Sequence, residues 1–151
     1  MAGWSFAIDS EIAVGCVAFD EPGNAVWFGT ADGEIRSFRL LDRREAVHGQ
    51  GYEPLAALIL SPNGLAVDVV QRDGTVFRAT RDNANQSAAA VQATIGEAVV
   101  AAAPHPDGAK AVVLTASGSL LLLDTGTGIT EILSDTLVSP IALTIEPVER
   151  I

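Results

Sequence analysis

One carboxylate of this 151-residue chain lies inside an apolar, strand-like segment, where an ionised group is costly. Asp68 is at the centre of the run LAVDVV, and the positions 41 residues before it and 44 after it hold Trp27 and Val112. A buried carboxylate needs an ion pair or hydrogen bonds to remain charged. Two interpretations follow. Asp68 contacts a ligand, a cation or a partner, or it is satisfied inside the protein by backbone groups or by an arginine.

Four arginines are concentrated in the short segment RSFRLLDRR, namely Arg36, Arg39, Arg43 and Arg44. The whole chain has nine basic and 19 acidic residues and a formal net charge of −10, so this segment is a local reversal of sign. Arginine is enriched in protein interfaces and pairs with carboxylates through two parallel hydrogen bonds. We therefore expect a docking patch for an acidic partner, such as another copy of the chain. The alternative is a solvated outer strand protected by charge.

The other reactive side chains form no recognisable catalytic or metal-binding set. His48 and His105 are expected in a loop and in a turn of different repeats, with no Cys, Asp or Glu at ligand spacing beside them. Cys16 is the single thiol of the chain and cannot form an internal disulfide. The glycine-rich segment 124–128 lacks the lysine and the following helix of a phosphate-binding loop. We predict no catalytic residue, no cofactor and no metal.

Composition and charge disfavour several classes of partner. An acidic chain lacks the basic footprint that nucleic acids and anionic membranes require. No apolar run approaches the ~18 residues of a membrane span, and the N-terminal segment lacks the positive charge typical of a signal peptide. We therefore expect a cytoplasmic protein. Its apolar fraction of 48% is mostly Ala, Val, Ile and Leu, which suits strands that are buried on both faces.

These residues are positioned by a unit that occurs three times. A Pro-Gly or Pro-x-Gly turn is followed, ten residues after its glycine, by a second glycine that Asp or Ser precedes. The glycine pairs are Gly23 and Gly33, Gly64 and Gly74, and Gly108 and Gly118. A constant period near 40 residues is typical of one supersecondary unit used repeatedly. Each unit predicts four short strands, and the units span 13–50, 54–95 and 98–135.

A single predicted strand flanks the three units on each side. Residues 4–8 have the pattern of a fourth strand with no unit before it, and residues 140–146 that of a first strand with no unit after it. We count Trp4 and Phe6 of the first flanking strand among the candidate partner-binding residues. The outer strand of the second unit is predicted at 87–93. The chain is predicted to be a single all-β domain over 1–151.

The spacing of the glycines and the order of the strands resemble the blades of WD40-type β-propellers. In that family the first strand ends in a Ser-Pro-Asp-Gly-like turn, and an Asp-Gly hairpin follows ten residues later. The matching turns are 20–23, 61–64 and 105–108, and the matching hairpins are 32–33, 73–74 and 117–118. The position of the family's Trp-Asp pair holds Phe38-Arg39, Ala79-Thr80 and Leu123-Asp124. Because the Gly-His dipeptide that normally precedes a blade is missing in register, the family's structural Asp-His-Ser/Thr-Trp hydrogen-bond set is not expected here.

The resemblance implies an incomplete ring, because closed propellers have about four to eight blades. We predict an all-β, partial β-propeller, about half a ring, of three four-stranded antiparallel blades with single flanking strands. The chain is then a fragment, a half-propeller that dimerises, or a subunit that another polypeptide completes. The function this favours is a non-catalytic protein–protein interaction or scaffold module, completed by self-association or by a partner chain. The alternatives are a sugar-binding or hydrolytic propeller built from several chains and an accessory subunit of a larger enzyme complex.

Overall fold

The computed structural model describes residues 14–105, 110–124, 126–128 and 130–134. Within them the chain is all-β and forms three four-stranded antiparallel sheets, each made of consecutive strands. The first blade contains β1 (Val14–Asp20), β2 (Ala25–Thr30), β3 (Ile35–Arg39) and β4 (Glu45–Gly49). The second contains β5 (Leu55–Leu60), β6 (Ala66–Gln71), β7 (Thr75–Thr80) and β8 (Ala90–Thr94). The third contains β9 (Val99–Pro104), β10 (Lys110–Thr115), β11 (Leu120–Asp124) and β12 (Thr130–Ser134).

The second glycine of each repeat makes the hairpin between the second and third strands of its blade. Gly33, Gly74 and Gly118 have φ angles of +85°, +97° and +93°, a conformation that other residues adopt only with strain. Gly33 also has no room for a side chain, since an added Cβ atom would lie 1.8 Å from the carbonyl oxygen of Tyr52. The repeat therefore encodes a backbone requirement, and the predicted three-blade, four-strand architecture is confirmed.

Some local predictions differ from the structure. The outer strand of the second blade does not begin at residue 87, because Gln86–Ala88 form a short 3₁₀ turn and β8 starts at Ala90. That turn is closed by backbone hydrogen bonds from Ala88 to Asn85 and from Ala89 to Gln86. His48, which was predicted in a loop, is part of β4. The predicted strands 4–8, with Trp4 and Phe6, and 140–146 lie outside the described residues.

Each blade has two faces, which we call the front, turned toward the next blade in the chain, and the back, turned toward the preceding one. The front of the first blade packs on the back of the second around Trp27, Ile35, Val69 and Phe77. The front of the second blade packs in the same way on the back of the third, around apolar side chains such as Val76 and Leu121. The core thus consists of two layers between three sheets. In the described part of the chain, no helix is long and apolar enough to cross a membrane.

Candidate interaction surface

Asp68 is buried, and it is paired with an arginine on the neighbouring strand. Its side chain lies on the front of the second blade, and the residue is 4% exposed. Arg78 is directly opposite on β7, and its Nε and Nη2 atoms donate to Asp68 Oδ1 and Oδ2 at 2.8 and 2.9 Å. These hydrogen bonds and the charge of Asp68 raise the pKa of Arg78. The structure therefore provides the internal arginine partner that one of the two interpretations of Asp68 required.

The same repeat position has different chemistry in each blade. The cross-strand pair Asp68 and Arg78 corresponds to Trp27 and Ser37 in the first blade and to Val112 and Leu122 in the third. In the first two blades this position is covered by the next blade, and each pair contains polar groups that are satisfied internally. In the third blade the position is apolar.

A stacked aromatic pair lies on the front of the first blade. The ring of His48 stacks on the indole of Trp27 with a centroid distance of 3.9 Å and an interplanar angle of 12°. Its Nε2 atom is 2.7 Å from the hydroxyl oxygen of Ser37. Burial, and to a lesser degree the positive charge of Arg81, lower the pKa of His48. The geometry favours a neutral, structural histidine.

Arg81 connects the first two blades. From the end of β7 its Nη1 atom reaches Asp20 Oδ2 at 3.1 Å, and its guanidinium carbon lies 5.5 Å from the ring centroid of Trp27. The guanidinium also donates to the carbonyl oxygens of Ser61, at 2.7 Å, and Ala66, at 3.3 Å. Both partners of the ion pair are nearly buried, with side-chain exposures of 12% and 11%. Sequence reasoning did not identify this connection, because its members come from different repeats.

Arg36, the first residue of the predicted basic patch, is held by two carboxylates of its own blade. Its Nε and Nη2 atoms donate to Glu34 Oε2 at 2.8 and 2.5 Å, and its Nη1 atom donates to Glu45 Oε1 at 3.0 Å. It lies on the back of the first blade, where the repeat equivalents on the other two backs are the buried residues Phe77 and Leu121. Its positive charge is therefore locally compensated.

The other three arginines of the patch surround the turn between β3 and β4. Arg39 and Arg44 lie 3.5 and 3.7 Å from the carboxylate of Asp42. Arg43 is exposed, adopts a φ angle of +57°, and makes no ion pair with any described residue. The four arginines thus do not form a single surface of uncompensated charge. A docking role for this segment remains a prediction.

The first strand of each blade, β1, β5 or β9, is called the inner strand. The three inner strands line an open, apolar cleft of about 300 Å³. Its walls are residues 16–19 of β1, residues 56–58 and Leu60 of β5, and residues 102–104 of β9. Cys16 is the one ionisable side chain in this lining, and burial raises the pKa of its thiol. Polar groups occur at one mouth of the cleft, where Asp20, Glu21, Arg81 and His105 line a second cavity of about 410 Å³.

No set of three or more His, Cys, Asp or Glu side chains within the described ranges is arranged to hold a metal ion. Two acidic groups with a lowered pKa belong to turns: Asp73 lies in the turn before β7, and Asp124, the last residue of β11, lies next to the turn that follows. The pKa values of Asp73 and Asp124 are lowered mainly by backbone N–H groups that their carboxylates accept from. The lowered pKa values of Asp73 and Asp124 thus result from turn geometry and do not indicate a reactive centre.

The back of the first blade exposes apolar side chains that are covered on the second blade. Val17 is 67% exposed, whereas its repeat equivalent Leu58 is 3% exposed. Phe19 is 59% exposed, while its equivalent Leu60 is partly buried and packed on the first blade. At the centre of the same face Phe28 is buried, and on its outer strand Val47 is 59% exposed, so exposed apolar side chains flank a buried centre.

The front of the third blade is the corresponding open face at the other end of the described blades. Val112, Leu120 and Leu122 lie on it and are only partly buried. A cavity of about 240 Å³ opens on this face, and its lining consists of Lys110, Leu122, Asp124, Thr127 and Glu131.

The geometry defines a partial β-propeller, and comparison with known proteins supports that fold. No protein family model matches the chain, and no curated protein matches it in sequence. The computationally designed protein Ika4 is similar in structure, with a TM-score of 0.63 and 22% identity over 97% of this chain and 89% of that one. Hydrazine synthase of Kuenenia stuttgartiensis is similar with a TM-score of 0.71 and 12% identity, over 93% of this chain and 42% of that one.

A β-propeller domain is also among the similar structures. The Cps50 (Swd1) β-propeller domain of Myceliophteria thermophila has a TM-score of 0.61 and 16% identity, over 83% of this chain and 39% of that one. This chain therefore spans about 40% of the length of the hydrazine synthase and Cps50 chains. At these identities the likeness shows the fold alone. The resemblance to WD40 blades thus holds at the level of the fold.

Proposed function

We propose that this chain is a non-catalytic protein–protein interaction or scaffold module that completes a propeller through its two outer blade faces. The observation that carries the proposal is the contrast between Val17 and Leu58. They occupy the same repeat position on the backs of two blades, yet one is 67% exposed and the other 3%. A blade packed on the first blade would bury Val17 as the first blade buries Leu58. Each Å² of apolar surface so buried contributes ~25 cal/mol before the costs of association.

A catalytic or ligand-binding role at the propeller axis has less support. The cleft between the inner strands is lined by apolar side chains and one thiol whose pKa is raised by burial. Acid–base or nucleophilic chemistry needs side chains that donate, accept or attack at working pH. The polar groups at the mouth of the cleft include Asp20 and Arg81, which are already engaged with each other across the first two blades. No observation favours a sugar-binding or hydrolytic site over an interaction surface.

The test is native mass measurement of the tagged chain isolated from its source at its natural level. We expect a stoichiometric complex, either with itself or with another protein. The variant Val17→Asp/Phe19→Asp is expected to lose the complex, because it places two charges on the open back. The matched control is Leu65→Asp, since Leu65 is 69% exposed in the turn before β6 of the second blade, which carries neither open face. A wild-type chain that is folded and monomeric in this experiment would contradict the proposal, as would a complex that tolerates charges on both faces.

A further inference from the structure

We infer that the two open faces are completed by a second copy of this chain, packed head to tail. The front of the third blade of one copy lies on the back of the first blade of the other, and the same contact occurs twice in a closed ring. This inference rests on the proposed function, because it names the partner of the same two faces.

The contacts between blades inside one chain determine which face of one copy meets which face of the other. Both described inter-blade layers join the front of one blade to the back of the next. The open faces of the described blades are one back, on the first blade, and one front, on the third. They are therefore the two halves of the kind of contact that the chain already makes twice. A second copy supplies both halves in the required orientation.

The residues on the open faces agree with this pairing. On the open back, Val17 and Phe19 occupy the positions at which Leu58 and Leu60 pack in the layer between the first two blades. On the open front, Leu120 occupies the position of Ile35 in the first blade and of Val76 in the second; both of those side chains are fully or almost fully buried by the next blade. Apolar side chains thus meet apolar side chains at corresponding places.

The centre of the open front is also suited to an apolar partner. The first two blades have polar members at this place, but the third has Val112 and Leu122. A face with this composition requires no specific polar group from its partner. On the opposing back, Arg36 replaces the buried Phe77 and Leu121 of the other blades, and its guanidinium is held by Glu34 and Glu45. Its aliphatic stem can pack on the leucines while its charged end remains with these carboxylates at the outer strand.

Ring closure determines the number of copies. One copy provides three described blades, which is fewer than the roughly four to eight of closed propellers. Two copies provide six, within that range, whereas three copies would exceed it. A front-on-back contact is heterologous, so it produces a ring if the rotation closes and a filament if it does not. Closure at two copies predicts a dimer in which both contacts are equivalent.

The experiment is analytical ultracentrifugation of the purified full chain and of two variants over a range of concentrations. Phe19→Asp alters the back and Leu122→Asp alters the front, and each is expected to weaken the dimer by at least about tenfold, equivalent to about 1.4 kcal/mol. An equimolar mixture of the two is expected to regain dimer, because the mixed pair retains one unaltered front-on-back contact. Far-ultraviolet circular dichroism shows whether each variant is folded. If an aspartate variant does not fold, the milder variants Phe19→Ser and Leu122→Gln test the same two faces. Leu65→Asp, in the exposed β5–β6 turn of the second blade, is the control that should dimerise like the wild type.

Each other outcome overturns a defined part of the inference. If only one of the two aspartate variants weakens the dimer and the equimolar mixture does not regain it, the dimer joins identical faces. The head-to-tail arrangement is then wrong. Assemblies larger than a dimer, whose mass rises with concentration, would show that the front-on-back contact forms but does not close into a ring. That result would overturn the two-copy ring. A monomer that binds a different protein, sensitive to Phe19→Asp, would exclude the second copy while leaving the proposed function intact. A monomer that binds nothing would contradict both.

Discussion

Asp68 and Arg78 form a two-point ion pair across adjacent strands, with both donor–acceptor distances below 3 Å. The pair lies on the front of the second blade, which the third blade covers, and the same repeat positions on the open front of the third blade hold Val112 and Leu122. One repeat position thus holds a buried ion pair in the second blade and two partly buried apolar side chains in the third. Replacing the ion pair by the apolar residues of the third blade therefore tests how much the pair contributes to the free energy of unfolding.

Arg78→Leu is expected to lower the free energy of unfolding by about 3 kcal/mol, because it leaves a buried carboxylate without its partner. The value is at the low end for a broken buried pair because Arg78 is 35% exposed. The double variant Asp68→Val/Arg78→Leu copies the third blade and is expected to lie within about 1 kcal/mol of the wild type. Urea denaturation measures both. A double variant as unstable as the single one would contradict this account.

Asp68→Asn separates the internal role of this residue from a role in partner binding. We expect it to destabilise the protein, since the amide cannot accept from Arg78 at both oxygen positions. Native mass measurement of the complex would be made in parallel with denaturation. A variant that is as stable as the wild type but no longer binds its partner would show that Asp68 belongs to the interaction surface.

Stability is expected to fall as the pH drops below 6.5 because of His48. Burial lowers the folded-state pKa of His48 below its ordinary value of 6.5, so the unfolded chain binds the proton more readily. Its contribution is fully present above pH 6.5 and is lost as the pH falls through the folded-state pKa. His48→Phe retains a ring on Trp27 without a titrating group and should remove this part of the pH dependence. Urea denaturation at several pH values measures it, and an unchanged slope in the variant would refute the assignment.

Gly33→Ala is expected to be far more damaging than Gly64→Ala. Both glycines have a positive φ, which costs an alanine about 1–2 kcal/mol. Only Gly33 also faces backbone, because its added Cβ would lie 1.8 Å from the oxygen of Tyr52, while nothing lies within 4 Å at Gly64. Thermal unfolding of the two variants measures the difference. Equal losses would show that conformation alone, without the close approach, determines the repeat glycine.

Charge reversal at Arg43 and Arg44 tests the basic segment as a docking patch. Both side chains are exposed, so the stability of Arg43→Glu/Arg44→Glu should remain within about 0.5 kcal/mol of the wild type. If the segment docks an acidic surface, assembly measured by ultracentrifugation should weaken, and more so at low salt. Arg72→Glu, an exposed arginine outside the segment, is the control. Unchanged assembly of the double variant would eliminate the docking role.

The arginine partner of Asp68 was within reach of sequence reasoning, whereas the contacts of His48 and Arg81 were not. Asp68 and Arg78 lie five residues before and after Asp73, so a tight hairpin at Asp73-Gly74 places them opposite each other. Arg81 and Asp20, in contrast, belong to different blades and are 61 positions apart. Their contact depends on how one sheet is rotated and shifted against the next, which no local pattern specifies.

By itself, the sequence determined the strand order, the hairpins and the number of blades. Hairpins are local, and only glycine readily adopts the φ angles near +90° found at Gly33, Gly74 and Gly118. The tertiary structure decided which face of each strand is covered. Val17 and Leu58 are similar residues at equivalent positions, and only the presence of a neighbouring sheet makes one exposed and the other buried. Burial is a property of the packed arrangement, and it is this arrangement that locates the surface open to a partner.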